Sequence, residues 1–422
     1  MNITDKEILD YHQKGKIGTQ ITKNCNTQKD LSLAYTPGVG LPCKEIESEK
    51  NLVYKYTAKG NTIAVISDGT AVLGLGDIGP HAAKPVMEGK VVLFKKFANL
   101  DGVDLELDEK DPQKIIDICA ALSPSFGGIN LEDIKAPKCF EIEKELQKKV
   151  NIPVMHDDQH GTAIISSAAL MNASELVQKK ISTMKIVISG AGAAAMTCAK
   201  MYKKLGAKNI IMCDREGVIN HTRKNLNNYK QEFVIQTNDS NISDALKDAD
   251  MLLGLSAAGI ITKEMIKSMA KEPIIFALAN PEPEISIEDI NEVRDDAIIG
   301  TGRSDYPNQV NNVLGFPFIF RGALDVEAKK ITENMKMSAA IALANLAKEP
   351  IPNYVKEAYD DKSLEYGRFH IIPKPFNKEV LVWVASAVAQ AAIEDGVSDK
   401  KDFNIEEYKT HLRQITYGDN QK

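Results

Sequence analysis

The amino-acid sequence predicts an α/β protein of two domains. An N-terminal α/β domain covers residues 1–160, and a C-terminal Rossmann-type, doubly wound parallel sheet covers residues 161–422 and ends in a helical tail. Three observations predict it. From Lys185 onward, short runs rich in Val and Ile alternate with amphipathic stretches of helical period, the pattern of repeated βαβ units. A Gly-x-Gly-x-x-Ala run stands between the first such strand and its helix. Before residue 160 the texture is less regular and is broken at Thr36-Pro37-Gly38, Ile78-Gly79-Pro80 and Ser123-Pro124-Ser125, which marks a separate unit.

The first domain shows two buried-strand patterns, at residues 62–66 and 153–155. The second shows five, at 184–188, 209–212, 251–254, 274–278 and 297–299. A helix is expected over 193–205, with Gly206 placed to end it. After Glu349 comes a stretch with Pro350, Pro352, Pro373 and Pro375, then an apolar helix over 380–393. These tail elements are expected to wrap the second domain.

Composition bounds the function. With 43% hydrophobic and 26% charged residues, 422 residues provide core enough for two domains. The formal net charge of −6 gives no basic excess for nucleic acid or an anionic membrane surface. Six cysteines without a CxxC pair fit free thiols in a reducing cytoplasm. Asp5, Glu7 and Asp10 interrupt the N-terminal apolar residues, so no secretory signal is read there. The 380–393 stretch is too short to span a bilayer. A cytoplasmic protein with a small-molecule partner is the expectation.

The Gly-rich run reads Gly190-Ala191-Gly192-Ala193-Ala194-Ala195. Gly190 permits a tight turn, Gly192 lets backbone approach a pyrophosphate, and Ala195 permits close packing of the helix, whose N-terminus offers free N–H groups. The next strand ends at Asp214, nineteen residues past Ala195, where a carboxylate accepts from ribose hydroxyls. Asp214 would repel a 2′-phosphate, whereas Arg215 beside it would attract one. The cofactor is therefore NAD or NADP, with a lean to NAD.

Two acidic pairs stand apart: Glu132 with Asp133, and Asp157 with Asp158. Carboxylates without a nearby cysteine select a hard cation, Mg²⁺ or Mn²⁺. The strand at 153–155 delivers Asp157 and Asp158 to its C-terminal end, where open α/β sheets bind ligands. His156 and His160 lack a neighbouring third nitrogen or sulfur ligand for zinc and read as structural or as supports behind the metal ligands.

Several runs resemble malic enzymes: Tyr35-Thr36-Pro37-Gly38-Val39-Gly40, Ser67-Asp68-Gly69, Gly74-Leu75-Gly76-Asp77-Ile78-Gly79, Lys84-Pro85-Val86-Met87-Glu88-Gly89-Lys90, Asn130-Leu131-Glu132-Asp133, His156-Asp157-Asp158-Gln159-His160-Gly161-Thr162, Leu278-Ala279-Asn280-Pro281 and Gln309-Val310-Asn311-Asn312-Val313. Their order is also that of the family. The resemblance extends from about residue 15 to 395 and is closest to the short bacterial type. It implies oxidative decarboxylation of L-malate to pyruvate and CO₂ with reduction of NAD(P), on a divalent metal, in a homodimer. The first domain is then the catalytic one. Tyr35 matches the general acid, Lys90 the general base, and Asp157 the carboxylate that orients lysine and substrate. Glu132, Asp133 and Asp158 match the metal ligands, and Asn280 and Asn312 match amides near malate and nicotinamide. Lys90 serves as a base only with its pKa pulled down, which a nearby divalent cation does. Larger animal-type members carry an arginine for the malate carboxylate where this chain reads Thr70-Ala71-Val72; Arg303 and Lys84 are the alternative cations. Two related outcomes stay open: a malolactic enzyme, which yields lactate, and an NAD-dependent dehydrogenase without decarboxylation.

Overall fold

The computed structural model describes residues 3–418 apart from 73 and 401. The chain opens on helices α1 (Asp5–His12), α2 (Gln28–Ala34) and α3 (Gly40–Ser48) and a single turn, α4 (Val53–Tyr56). Capping boxes start α1 (Thr4 with Glu7) and α2 (Thr27 with Asp30). None of the four helices buries a residue, and Ile21, Leu31, Leu33 and Leu41 are all more than half exposed.

The first sheet follows as β1 (Thr62–Ser67), α5 (Gly79–Ala98), β2 (Asp101–Glu106), α6 (Pro112–Leu122), β3 (Gly128–Leu131), α7 (Lys138–Lys149) and β4 (Val154–His156). Its order is β2-β1-β3-β4, all parallel. Helix α8 (Asp157–Leu176) begins directly at the end of β4 and leads toward the second sheet, so the boundary expected near Gly161 falls inside a helix.

The second sheet comprises β5 (Lys185–Ser189), α9 (Ala193–Lys204), β6 (Asn209–Asp214), β7 (Gly217–Val218), α10 (Asn228–Gln231), α11 (Ile242–Leu246), β8 (Met251–Gly254), α12 (Lys263–Lys267), β9 (Ile274–Ala277), α13 (Ile287–Asn291) and β10 (Ile298–Thr301). Its order is β10-β9-β8-β5-β6-β7, parallel except for β7, which turns back on β6. This is the doubly wound arrangement that the alternating sequence texture predicts. Strands β5, β8 and β9 read as unbroken apolar runs because helices cover both sheet faces.

The tail forms α14 (Phe316–Asp325), α15 (Glu333–Leu346), α16 (Asn353–Ala358), α17 (Glu379–Glu394) and α18 (Ile405–Tyr417). It does not wrap the second domain alone. Phe316 and Phe320 of α14 meet Phe94 of α5 edge-on, at 4.8 and 5.6 Å between ring centroids. Gly128 at the start of β3 leaves room for Phe320, since a Cβ there would lie 3.1 Å from that ring. The tail therefore fastens the first domain to the second. Among the described residues, no helix is long and apolar enough to cross a membrane.

Candidate active site

Strands β1, β3 and β4 each end on acids. Asp68 follows Ser67, Glu132 and Asp133 follow Leu131, and Asp157 and Asp158 follow His156. Strand β2 lies on one side of β1 and β3 on the other, so the loops leaving β1 and β3 diverge and open a crevice at the carboxyl edge. Asp133 turns the chain there with a left-handed backbone (φ 53°), and its N–H donates to Asp158 Oδ2 at 2.8 Å. One oxygen each from Glu132, Asp133 and Asp158 lies within 4.8 Å of the other two, and this is the one such cluster among the described residues. Asn130 donates to Glu132 Oε2 at 2.9 Å and fixes that carboxylate.

Helix α5 carries Lys90 into the same place. Its ammonium lies 2.8 Å from Glu132 Oε1 and 2.7 Å from Asp157 Oδ2, and 4.0 Å from the ring centroid of Phe316. All three ionic side chains are buried. Burial alone would push the lysine pKa down, but the charges of Asp157 and Glu132 outweigh it and raise the pKa instead. Burial pushes the Glu132 carboxyl well up, and Asp158, Asp157 and Asp133 add to the rise. Four carboxylates thus crowd one ammonium, and Asp157 Oδ1 is buried without a hydrogen-bond partner. An all-oxygen donor set with surplus negative charge fits Mg²⁺ or Mn²⁺.

Asn312 reaches the cluster from the second domain. Its Nδ2 donates to Asp157 Oδ2 at 3.2 Å, and its Oδ1 accepts from Thr162 Oγ1 at 3.0 Å. Gly161 makes this possible: a Cβ there would sit 2.3 Å from Asp157 Oδ1 and 2.8 Å from Asn312 Cγ. No role for Gly161, Asn130 or Phe316 is legible from residue pattern. The available signal was a glycine four residues after Asp157 inside a run otherwise suited to a helix. The two histidines serve as structure. His156 is wholly buried at the end of β4, and His160 lies 3.0 Å from the buried Glu143.

Two predicted residues stand outside the cluster. Tyr35 ends α2 and is 70% exposed, while Lys90 is surrounded by Glu132, Asp157 and Phe316. Asn280 follows β9, and its carbonyl lies 2.5 Å from where a Cβ of Gly74 would stand. Of the two cations considered for the malate carboxylate, Lys84 is held by Asp104 at 2.7 Å and Glu106 at 3.3 Å. Arg303 sits in the loop packed on Asn280 and pairs with Asp305 at 2.7 Å.

The second sheet opens a cavity of about 840 Å³ where the loops leaving β5 and β8 diverge, lined by Gly190, Ala191, Gly192, Asp214 and Arg215. Gly190 adopts φ +120°, and a Cβ on it would meet Leu255 O at 2.3 Å. Gly192 caps α9, and a Cβ on it would meet nothing within 4 Å, which leaves space for a pyrophosphate against the helix N-terminus at Ala193 and Ala194. Asp214 is not a bare carboxylate. It pairs with Arg223 at 3.0 Å and Lys230 at 2.6 Å; burial alone would raise its pKa, yet these cations hold it down at about 2.

Two family models match the chain: "Malic enzyme, N-terminal domain" over residues 14–114 and "Malic enzyme, NAD binding domain" over 159–356. An NADP-dependent malic enzyme of Halomonas elongata is 53% identical over 92% of this chain and 94% of its own length. A probable NADP-dependent malic enzyme of Rickettsia prowazekii is 54% identical over 96% of this chain, which spans only 54% of that relative. The crystal structure of malic enzyme from Pyrococcus horikoshii superposes with a TM-score of 0.88 at 40% identity, covering 99% of this chain and 96% of that one. A lysine clamped by acids at one sheet edge, a dinucleotide crevice at the other, and near-full-length likeness to these proteins lead to one conclusion: the chain belongs to the malic enzyme family.

Proposed function

We propose that the chain catalyses the metal-dependent oxidative decarboxylation of L-malate to pyruvate and CO₂, with reduction of a nicotinamide dinucleotide. The observation that carries this reading is the buried Lys90 ammonium, bound at once to Asp157 and to Glu132 of the carboxylate triad. The Lys90 pKa would be lowered by a divalent cation on the carboxylates; once its ammonium proton has left to solvent, Lys90 receives the proton of the malate C2 hydroxyl at Nζ, and Asp157 holds that nitrogen in line while Asn312 fixes Asp157. Mg²⁺ or Mn²⁺, held by Glu132, Asp133 and Asp158, would supply Lewis acidity toward the C2 oxygen and a malate carboxylate. The dinucleotide, bound along Gly190–Gly192, would accept the hydride. Arg303 receives the second carboxylate by opening its pair with Asp305. Tyr35 returns a proton at C3, which requires covering of the exposed segment that carries it.

That segment also supports a homodimer. Leu31, Leu33, Tyr35 and Leu41 are all more than half exposed along one short stretch, and a second copy of the chain is the partner we assign to it. The free cysteines agree with the proposed cytoplasmic setting. The division into a catalytic half (1–160) and a nucleotide half (161–422) is retained, with α8 shared between them. The lean to NAD weakens. It rested on repulsion by Asp214, which Arg223 and Lys230 offset, and both relatives described above carry NADP in their names. We assign NADP as at least as good a substrate as NAD.

Steady-state assays with malate, NAD or NADP, and Mn²⁺ test the reading. Pyruvate and free reduced dinucleotide are expected in equal amounts, and only with metal. Lactate without free reduced dinucleotide would make the protein a malolactic enzyme. Undiminished malate oxidation in EDTA would make it a plain dehydrogenase.

A further inference from the structure

A second cavity, of about 590 Å³, lies outside both sites, between α7, α8, α9, α10 and α15. Its volume is within the range of ligand pockets, roughly 300–1,000 Å³. Five lysines line it against two glutamates, in a chain whose formal net charge is −6. Lys200, Lys203 and Lys204 share one face of α9, three and four residues apart. Lys200 pairs with Glu232 at 2.8 Å, and Lys204 and Lys336 share Glu333. No ion pair holds Lys144 or Lys203 among the described residues, and Lys203 instead covers the Phe233 ring at 4.9 Å. The surplus is therefore positive, with its two unpaired lysines on α7 and α9.

Two buried groups make this more than a rim of surface lysines. Lys336 is only 6% exposed, and its Nζ lies 3.2 Å from His160 Nδ1. Gln159, 3% exposed, also lines the cavity, and its Nε2 has no hydrogen-bond partner. An unpaired buried amide donor is costly and calls for an acceptor. The lining also holds two aromatic rings, Phe140 beside Lys144 on α7 and Tyr229 on α10, half-buried and tilted against each other at 4.6 Å between centroids.

We propose that this cavity binds a nucleoside polyphosphate, separately from the dinucleotide crevice. The phosphates accept from the lysines and Gln159, and the base lies against Phe140 and Tyr229. Occupancy reaches the active site through α8, because Gln159 and His160 directly follow Asp157 and Asp158 in its first turn. The binding claim stands apart from the proposed function; only its effect on turnover rests on that reading.

Calorimetric titration of the full chain with ATP, in metal-free buffer with saturating NAD in the crevice, tests it. One ATP per chain is expected. The Lys144→Ala/Lys203→Ala variant, altered at two exposed positions remote from the catalytic groups, is expected to bind ATP at least tenfold more weakly. Tripolyphosphate and adenosine should each bind at least tenfold more weakly than ATP. Loss of ATP binding when NAD is present, or unchanged affinity in the variant, overturns the site. Tripolyphosphate binding as tightly as ATP overturns the assignment to a nucleoside. In turnover assays at matched free Mn²⁺, which allows for chelation by ATP itself, ATP should shift the Mn²⁺ requirement of the wild type and not of the variant. Binding without that shift overturns the coupling through α8 and leaves the site itself standing.

Discussion

Lys90 Nζ and Asp157 Oδ2 lie 2.7 Å apart, 67 residues apart in sequence, on two helices that start at the same sheet edge. The contact sets the direction of the amine, so its loss should act on kcat more than on cofactor binding. Asp157→Asn keeps the shape and removes the charge. A fall in kcat of about 10²–10⁴-fold is expected, the usual range for a positioned acid–base group, with dinucleotide affinity by fluorescence titration unchanged. A variant within tenfold of wild type would remove Asp157 from the proton transfer.

The carboxylate triad predicts a graded metal dependence. Glu132→Gln and Asp158→Asn each remove one charged ligand while leaving two, so the Mn²⁺ concentration for half-maximal rate should rise roughly 10–100-fold. Asp133 also turns the chain, so its replacement would confound ligation with backbone shape. Mn²⁺ binding read by electron paramagnetic resonance separates affinity from rate. Equal affinity in wild type and both variants would place the metal elsewhere.

Arg215 follows the paired Asp214 and lines the dinucleotide cavity. It is the cation best placed for a 2′-phosphate. Arg215→Ala should raise KM for NADP about tenfold, the scale of one charge-assisted hydrogen bond, and leave KM for NAD near its wild-type value. Equal effects on both nucleotides would show that Arg215 touches a part they share.

Gly161 offers a test of packing. Inside a helix, Gly→Ala ordinarily stabilises by about 0.5–1 kcal/mol. Here the new Cβ would stand 2.3 Å from Asp157 Oδ1 and would drive apart Asp157 and Asn312. Gly161→Ala should keep its helical circular dichroism and lose roughly 10²-fold in kcat, the effect of displacing a reacting group by about 1 Å. Wild-type turnover would mean that the pair relaxes without consequence.

How far the sequence spoke depends on what each residue faces. Strands β5, β8 and β9 were legible because every residue in them is buried or nearly so. Strand β2 was not, since it lies at an edge, carries Asp101, Asp104 and Glu106, and is half exposed. Strand β3 was too short, at four residues beginning with glycine, although it delivers Glu132 and Asp133. The acids and Lys90 were identified by their resemblance to a family, whereas their meeting depends on three chain segments converging at one sheet edge, which periodicity does not encode. The pairing of Asp214 with Arg223 and Lys230 was hidden for the same reason, and with it the weakness of the lean to NAD.

Glu143 supplies the pH test. It is 7% exposed on α7, accepts from the His156 N–H at 3.0 Å and faces His160 and Lys336. Burial alone would raise its pKa, but His160, Lys336 and the His156 N–H together lower it from 4.5 to about 2. A carboxyl whose folded pKa is depressed binds a proton more readily when unfolded. Its stabilisation is therefore complete above about pH 4.5 and is lost as pH falls toward 2. The difference corresponds to about 3 kcal/mol at neutral pH. Glu143→Gln keeps an acceptor for His156 and removes the charge, so urea unfolding at pH 7 should show a loss of that order. The gap between variant and wild type should narrow below pH 4.5; a gap that stays constant down to pH 3 would mean that Glu143 acts by shape alone. Because His156 immediately precedes Asp157 and Asp158, and its N–H then meets a neutral acceptor in place of a charged one, the same variant should also need more Mn²⁺ for half-maximal rate, the start of α8 being held less firmly.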